Sequence, residues 1–309
     1  MVSLENNFLR GSFPPLITPF RGGKVDYDQY AKLVERQVSA GSQGIVVAGT
    51  TGEPSSLSIE ERTELLKVAV SVAARRIQVV AATGSQSFSE TLTLTENAER
   101  AGADALLIVT PYYSKPSQRG LTEYFTAVSQ RTGLPWMIYH IPGRAAVSIK
   151  STTVIEIASR APNLVGLKHA DQNLELLTEL IMALGPQFRI FCGVEALSFP
   201  MLILGGSGLM NAAGNLAPEI VAALYDAVQR KDFDQALQIH TRIFELNQSI
   251  FLDTNPVPLK YMMSRLGILD SPELRLPLAS IDNANKKVLD SVLARAGLLS
   301  EVVSMPGKA

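Results

Sequence analysis

"DALLIVTP", residues 104–111, is apolar at consecutive positions, shows no in-and-out alternation and stops at a Thr-Pro pair. Such a run reads as a short strand covered on both faces, the environment of a parallel sheet packed between helices. Runs of the same kind recur along the chain: "PPLITPF" (14–20), "QGIVVAGT" (43–50), "IQVVAAT" (77–83), "PWMIYHIP" (135–142), "LVGLKHA" (164–170), "RIFCGV" (189–194) and "GLMNAAG" (208–214). Each is followed by apolar residues at helical spacing, as with Tyr30, Leu33, Val34 and Val38. Asp26 with Gln29, and Ser58 with Glu61, have capping-box spacing at helix starts, and Gly41, Gly102 and Gly133 fall where helices should stop. Eight strand and helix units within about 225 residues predict a closed (β/α)8 barrel of the TIM type, with an open doubly wound sheet as the alternative.

Beyond residue 225 the strand signal ends. "KDFDQALQIHTRIFELNQSIF", "NPVPLKYMMSRLG" and "NANKKVLDSVLARAG" read as three more helices. The expected organisation is a catalytic barrel over 1–225 and a three-helix extension over 226–309 packed on it.

Composition narrows the function classes. Apolar residues make up 46% of the chain and charged residues 18%, the balance of a protein with a large core. The formal net charge is −1, with no basic stripe or acidic tail, so nucleic acid and anionic membrane are not expected partners. No signal-peptide pattern opens the sequence and no apolar run reaches spanning length, so a cytoplasmic protein is expected. Cys192 is the only cysteine and, in "RIFCG", reads as a small core residue.

Active sites of such barrels form at the carboxyl ends of the strands. There the sequence places "GTTGE" (49–53), "TPYYSKP" (110–116), "YHIPGR" (139–144), Lys168, "GVE" (193–195) and "NAAGN" (211–215). A strand-end lysine taken alone is an ordinary surface residue. In a desolvated barrel mouth, however, the free amine is favoured and can attack a carbonyl to form a Schiff base. The protonated Schiff base of a keto acid is an electron sink, so an enamine can form on the adjacent carbon. Tyr139, Tyr113 and Thr50 carry hydroxyls that both donate and accept, as a proton relay requires. Singly, each tyrosine reads more readily as core packing with a satisfied hydroxyl. The hydroxyls and backbone amides of "GTTGE" suit a carboxylate, although the motif is also an ordinary tight turn, and Arg144 offers a planar fork for a second carboxylate.

His140, His169 and His240 lack ligand-like spacing, and "GGSGLM" (205–210) precedes a strand, so neither a metal nor a nucleotide cofactor is expected. His140 and His169 directly follow strand-end candidates, and alternation turns them away from the barrel axis as structural residues.

The ordered set "GTTGE", "TPYYSKPSQRGL", "YHIPGR", "GLKHA", "NPVPLKYMMSRLG" and "LRLPL" resembles the dihydrodipicolinate synthase and N-acetylneuraminate lyase superfamily over about residues 10–299. The resemblance implies that Lys168 forms a Schiff base with pyruvate, needing no other cofactor, and that Tyr139 transfers the proton in a relay with Thr50 and Tyr113. It further implies that Tyr113 reaches a neighbouring subunit's site, that Thr51 holds the pyruvate carboxylate, and that Gly193 and Met210 line the pyruvate pocket. Arg144 matches the arginine that receives the carboxylate of aspartate semialdehyde, and a homotetramer built as a dimer of dimers is implied.

The doublet Thr50-Thr51 and "PGR" favour the synthase branch, whereas His169 stands where Glu is usual, His140 where Asn is common, and "GVE" where an acidic pair is usual. An effector site for lysine would involve Tyr112, Glu90 and Gln86. With Ile59 and Arg62 where sensitive relatives tend to have His, weak or absent lysine inhibition is expected. The leading expectation is condensation of pyruvate with aspartate semialdehyde in lysine biosynthesis. The alternatives are a pyruvate-dependent aldolase cleaving another 2-keto acid, such as a sugar acid or hydroxy-keto acid, and, behind it, a non-catalytic binding or regulatory barrel.

Overall fold

The computed structural model of the chain describes residues 4–299. Eight parallel strands form the centre: β1 (Gly11–Ser12), β2 (Gly44–Val47), β3 (Gln78–Ala82), β4 (Ala105–Val109), β5 (Trp136–His140), β6 (Leu164–His169), β7 (Arg189–Cys192) and β8 (Gly208–Leu209). Hydrogen bonding runs in the order β1, β8, β7, β6, β5, β4, β3, β2, and the ring closes where Pro15 bridges Val46. The closed barrel predicted from the apolar runs is the one found, and the open sheet is excluded.

Connecting and flanking helices are α1 (Tyr27–Ser39), α2 (Ile59–Ala73), α3 (Phe88–Ala101), α4 (Gln118–Ser129), the short α5 (Pro142–Ala145), α6 (Ser151–Arg160), α7 (Leu174–Leu184), α8 (Ser198–Ile203) and α9 (Pro218–Gln229). Helix α9 runs across the expected boundary at 225/226. It is followed by α10 (Phe233–Arg242), α11 (Phe244–Ser249), α12 (Val257–Arg265) and α13 (Asn283–Arg295). The terminal residues 1–3 and 300–309 of the two expected parts lie outside the described residues.

Several sequence expectations shift. The first ladder strand is Gly11–Ser12, ahead of "PPLITPF", because Pro14 and Pro15 have no N–H to give. That stretch contributes instead the Pro14 carbonyl, which accepts from Val46 N, and Leu16 N, which donates to the Val46 carbonyl. Ser58 and Glu61 form a complete capping box, whereas Asp26 caps α1 alone because its own N–H donates to the Pro19 carbonyl, and the Gln29 amide donates to the Ile268 carbonyl. Gly41 and Gly102 end helices at positive φ. Gly133 does not: α4 ends at Ser129, where the Asn163 amide bonds the carbonyls of Ser129, Thr132 and Leu134. The predicted first C-terminal helix divides at Ile243 into α10 and α11.

The strands separate two apolar cores. Inside the barrel lie Phe13, Val46, Val80, Leu107, Met137, Val165, Phe191 and Met210, with Phe13 edge-on to Phe191 at 5.1 Å. Outside, Leu106, Ile108, Trp136, Ile138, Leu167 and Ile190 pack under the helices. Residues successive along β4, β5 and β6 thus serve different cores, which explains why these strands read as unbroken apolar runs. Where β1 and β8 meet, a Cβ on Gly208 would lie 2.2 Å from the Gly11 carbonyl oxygen, so close pairing requires glycine there.

The C-terminal part is fastened to the barrel by charge. Arg275 grips both carboxylate oxygens of Glu61 and also donates to the carbonyls of Gly23 and Ser56. Lys260 and Glu53 form a fully buried ion pair, and the Lys260 ammonium also donates to the Glu273 carbonyl at 2.8 Å. Breaking such a pair by removing one partner costs about 3–5 kcal/mol, because the remaining charge is stranded without water.

Candidate active site

At the carboxyl ends of β5 and β6, Tyr139 pairs with Lys168 and His140 with His169. Parallel register places each pair on one face of the sheet, the first toward the barrel interior and the second toward the helices. Lys168 is 4% exposed, and its Nζ lies 4.3 Å from the centre of the Tyr139 ring. The Tyr139 hydroxyl meets Thr50 Oγ1 at 3.3 Å. Lysine, phenol and threonine hydroxyl thus follow one another across three strand ends that lie far apart in the sequence.

Room for the lysine comes from β7. A Cβ added to Gly193 would lie 2.8 Å from Lys168 Cε and 2.9 Å from Ala170 Cβ, so any side chain there displaces the lysine. Met210 is buried in the interior cluster that includes Tyr139.

The "GTTGE" loop turns tightly through Thr50–Gly52, with Glu53 held at φ 56°. Thr18 Oγ1 ties it by donating to the Gly52 carbonyl at 2.7 Å. Thr51 is buried, and its Oγ1 accepts from the Asn255 amide at 3.0 Å. The backbone carbonyl of the same Asn255 accepts from Arg144 Nη2 at 3.3 Å. One residue from the C-terminal part therefore touches both of the groups expected to grip carboxylates. Sequence reasoning assigned Asn255 no role of its own. Its only signal was its place at the head of "NPVPLKYMMSRLG". Glu53 was likewise unassigned. Burial raises its carboxyl above the usual range, opposed by the Lys260 charge.

A cavity of about 520 Å³ opens over this arrangement, lined among others by Thr50, Tyr139, Arg144 and Asn255 and also by Gln86, Glu90 and Tyr112. Lys168 does not form part of the wall; it lies against Tyr139, which does. Arg62 also lines the cavity, with Nη2 donating to the Ala82 carbonyl and Nη1 3.7 Å from Glu90 Oε1; Ile59 lies off the lining. Tyr113 is not brought to the other candidates: it is 90% exposed, at φ 69°.

Cys192 is buried and its thiol is pushed up to about 12 by desolvation, which leaves it unreactive as a thiolate nucleophile. Beside it Glu195 is buried, accepts from Ala212 N at 2.6 Å, and has its carboxyl raised by burial. Among the described residues no group of three or more His, Cys, Asp or Glu side chains is arranged to hold a metal ion, and no helix is long and apolar enough to cross a membrane.

Comparison with known proteins agrees along almost the whole chain. A family model described as the dihydrodipicolinate synthetase family matches residues 8–296. The 4-hydroxy-tetrahydrodipicolinate synthase of Thermus thermophilus is 42% identical over 291 residues, 94% of this chain and 97% of that protein. The crystal structure of dihydrodipicolinate synthase from Aquifex aeolicus superposes with a TM-score of 0.91 at 39% identity, covering 94% of this chain and 98% of that one. The chloride-inhibited dihydrodipicolinate synthase from Acinetobacter baumannii, solved in complex with pyruvate, gives 0.91 at 34% identity over 94% of this chain and 100% of the other.

Proposed function

This chain belongs to the dihydrodipicolinate synthetase family, and from that premise we propose that it is a 4-hydroxy-tetrahydrodipicolinate synthase, a lyase of lysine biosynthesis that joins pyruvate to aspartate semialdehyde. The observation that carries the assignment of roles is the buried Lys168 amine stacked on Tyr139, whose hydroxyl meets Thr50.

In this reading the Lys168 amine attacks C2 of pyruvate and, with loss of water, forms an iminium. Its positive nitrogen draws electrons from C3, which loses a proton to give the enamine. The enamine carbon attacks the aldehyde carbon of the semialdehyde, and the resulting alkoxide takes up a proton. The amino group of the second substrate then displaces Lys168 from C2, closing the ring and freeing the enzyme. No cofactor is needed, because the iminium itself is the electron sink.

Tyr139, whose ring lies against the reacting nitrogen, is the proton carrier, and Thr50 passes the proton outward. Thr51, held by Asn255, receives the pyruvate carboxylate, while Gly193 and Met210 shape the space around it. Arg144, at the cavity wall, receives the carboxylate of the semialdehyde. Tyr113, a large aromatic almost wholly in solvent, completes the relay in a partner subunit within a homotetramer built as a dimer of dimers. Gln86, Glu90 and Tyr112, which line the same cavity, form the region where an effector such as lysine would sit. A cytoplasmic enzyme accords with these substrates.

The test is borohydride reduction in the presence of pyruvate followed by peptide mapping. A pyruvate-derived adduct on Lys168 is expected; its absence overturns the mechanism.

A further inference from the structure

The histidines behind the catalytic strands form a directed hydrogen-bond chain. His140 Nδ1 and His169 Nδ1 are 3.2 Å apart, with the rings stacked at 5.3 Å between centres. His169 Nε2 lies 2.8 Å from the Asn173 carbonyl oxygen, and His140 Nε2 lies 3.3 Å from Ser148 Oγ. A carbonyl can only accept, so His169 Nε2 carries the hydrogen and, in a neutral ring, its Nδ1 must accept. His140 Nδ1 is then the donor between the rings, which leaves His140 Nε2 to accept from the Ser148 hydroxyl. Every partner in the chain has one fixed direction. Burial supports the neutral state of both rings, pushing His140 down to about 4 and His169 also below its ordinary value, while Asp171 opposes this at both.

The ends of this chain lie in two loops of the site. Ser148 follows α5, the turn that carries Arg144, and its backbone carbonyl is fixed from the other side by the Gln118 amide at 2.8 Å. Asn173 caps α7, just past the loop that leaves Lys168. The histidines themselves are the next residues after Tyr139 and Lys168, joined further by Ala170 N donating to the His140 carbonyl at 2.8 Å.

We propose that Ser148, His140, His169 and Asn173 act as a positioning chain that fixes the Arg144 loop relative to the Lys168 strand and thereby sets how the second substrate is held, not how pyruvate is captured. The proposal rests on the function assigned above, in which Arg144 meets the second substrate and Lys168 the first. The pair is not a catalytic one, because both rings lie on the helix-facing side of the strands.

Kinetics of His140→Leu and Ser148→Ala test it. Losing the chain is expected to raise KM for aspartate semialdehyde about tenfold in the first and less in the second, in line with the sensitivity of rate to small misplacement. KM for pyruvate and the yield of borohydride-trapped adduct on Lys168 should stay within about twofold, the signature of a change confined to one substrate. His140→Asn, which keeps a donor near the Nδ1 position, should restore most of the loss. Equal effects on both substrates, or no effect in the folded His140→Leu protein, overturn the proposal. Should His140→Leu fail to fold, nitrogen-15 NMR of the unaltered enzyme decides: the tautomers must be Nδ1–H for His140 and Nε2–H for His169, and any other pattern overturns it. Absence of a Lys168 adduct in the unaltered enzyme would instead remove the functional reading beneath it.

Discussion

The two faces of β5 and β6 differ sharply although they are built from neighbouring residues. On the inner face Lys168 meets Tyr139 only through a ring contact, and the Tyr139 hydroxyl makes one bond, to Thr50, beside a cavity of about 520 Å³. On the outer face His140 and His169 use all four ring nitrogens in one continuous chain. One register thus places groups free to react beside groups that are fully engaged. Reactivity needs unspent hydrogen-bonding capacity, and the engaged layer behind it keeps that capacity aimed.

The largest expected break in this contrast comes from the inner face. Tyr139→Phe keeps the ring under the lysine and removes only the hydroxyl, so kcat should fall by about 10²–10⁴, the usual worth of a positioned acid or base. A fall of less than tenfold in steady-state rates would assign proton transfer to another group. Next, Gly193→Ala forces Lys168 Cε from its place, since the new methyl group would lie 2.8 Å from it. A loss of about a hundredfold in pyruvate adduct formation is expected from such a displacement, with a melting temperature lowered by a few degrees through the crowding of Ala170. Adduct formation at the normal rate would mean that the lysine has a second workable position.

Arg144→Ala should spare the adduct and raise KM for aspartate semialdehyde by about ten- to a hundredfold, the range for a lost bond to a charged group. Unchanged condensation would count against the semialdehyde as substrate. The smallest effect belongs to the outer face. Native His140 stays neutral down to about pH 4, whereas the unfolded ring takes a proton near its ordinary value of 6.5. As pH falls through that window the unfolded chain binds a proton that the native ring refuses, so stability is lost on acidification and regained above it. Thermal melts should drop by a few degrees between pH 6.5 and 4, and His140→Asn should flatten that slope. An identical slope in the variant would place the acid sensitivity elsewhere.

The barrel and the candidate residues at its mouth were legible because their signals are local. Unbroken apolar runs announce strands with two covered faces, and the strand-end rule then isolates Lys168, Tyr139, Thr50 and Arg144 without any contact map. Alternation also turned His140 and His169 outward, but their mutual bond depends on the register of β5 against β6, which no single segment carries. Asn255 and Thr51 are separated by 204 positions, and nothing in either segment names the other. Tyr113 is illegible for another reason: within one chain it has no neighbours that explain it. The proline-led first strand and the helix end near Gly133 were misplaced because tertiary partners, Val46 and Asn163, decided them.

The contacts of Asn255, Lys260 and Arg275 with the "GTTGE" region also impose an order in time. During synthesis the eighth barrel strand and its helix emerge before any of these three residues exists. A nascent chain at that stage contains Lys168 and Tyr139 but leaves Thr51 without its amide partner and Glu53 without its counter-ion. The setting of Thr51 and Glu53 therefore depends on chain that is made after the whole barrel, and a polypeptide broken off before Asn255 lacks both the amide partner of the one and the counter-ion of the other.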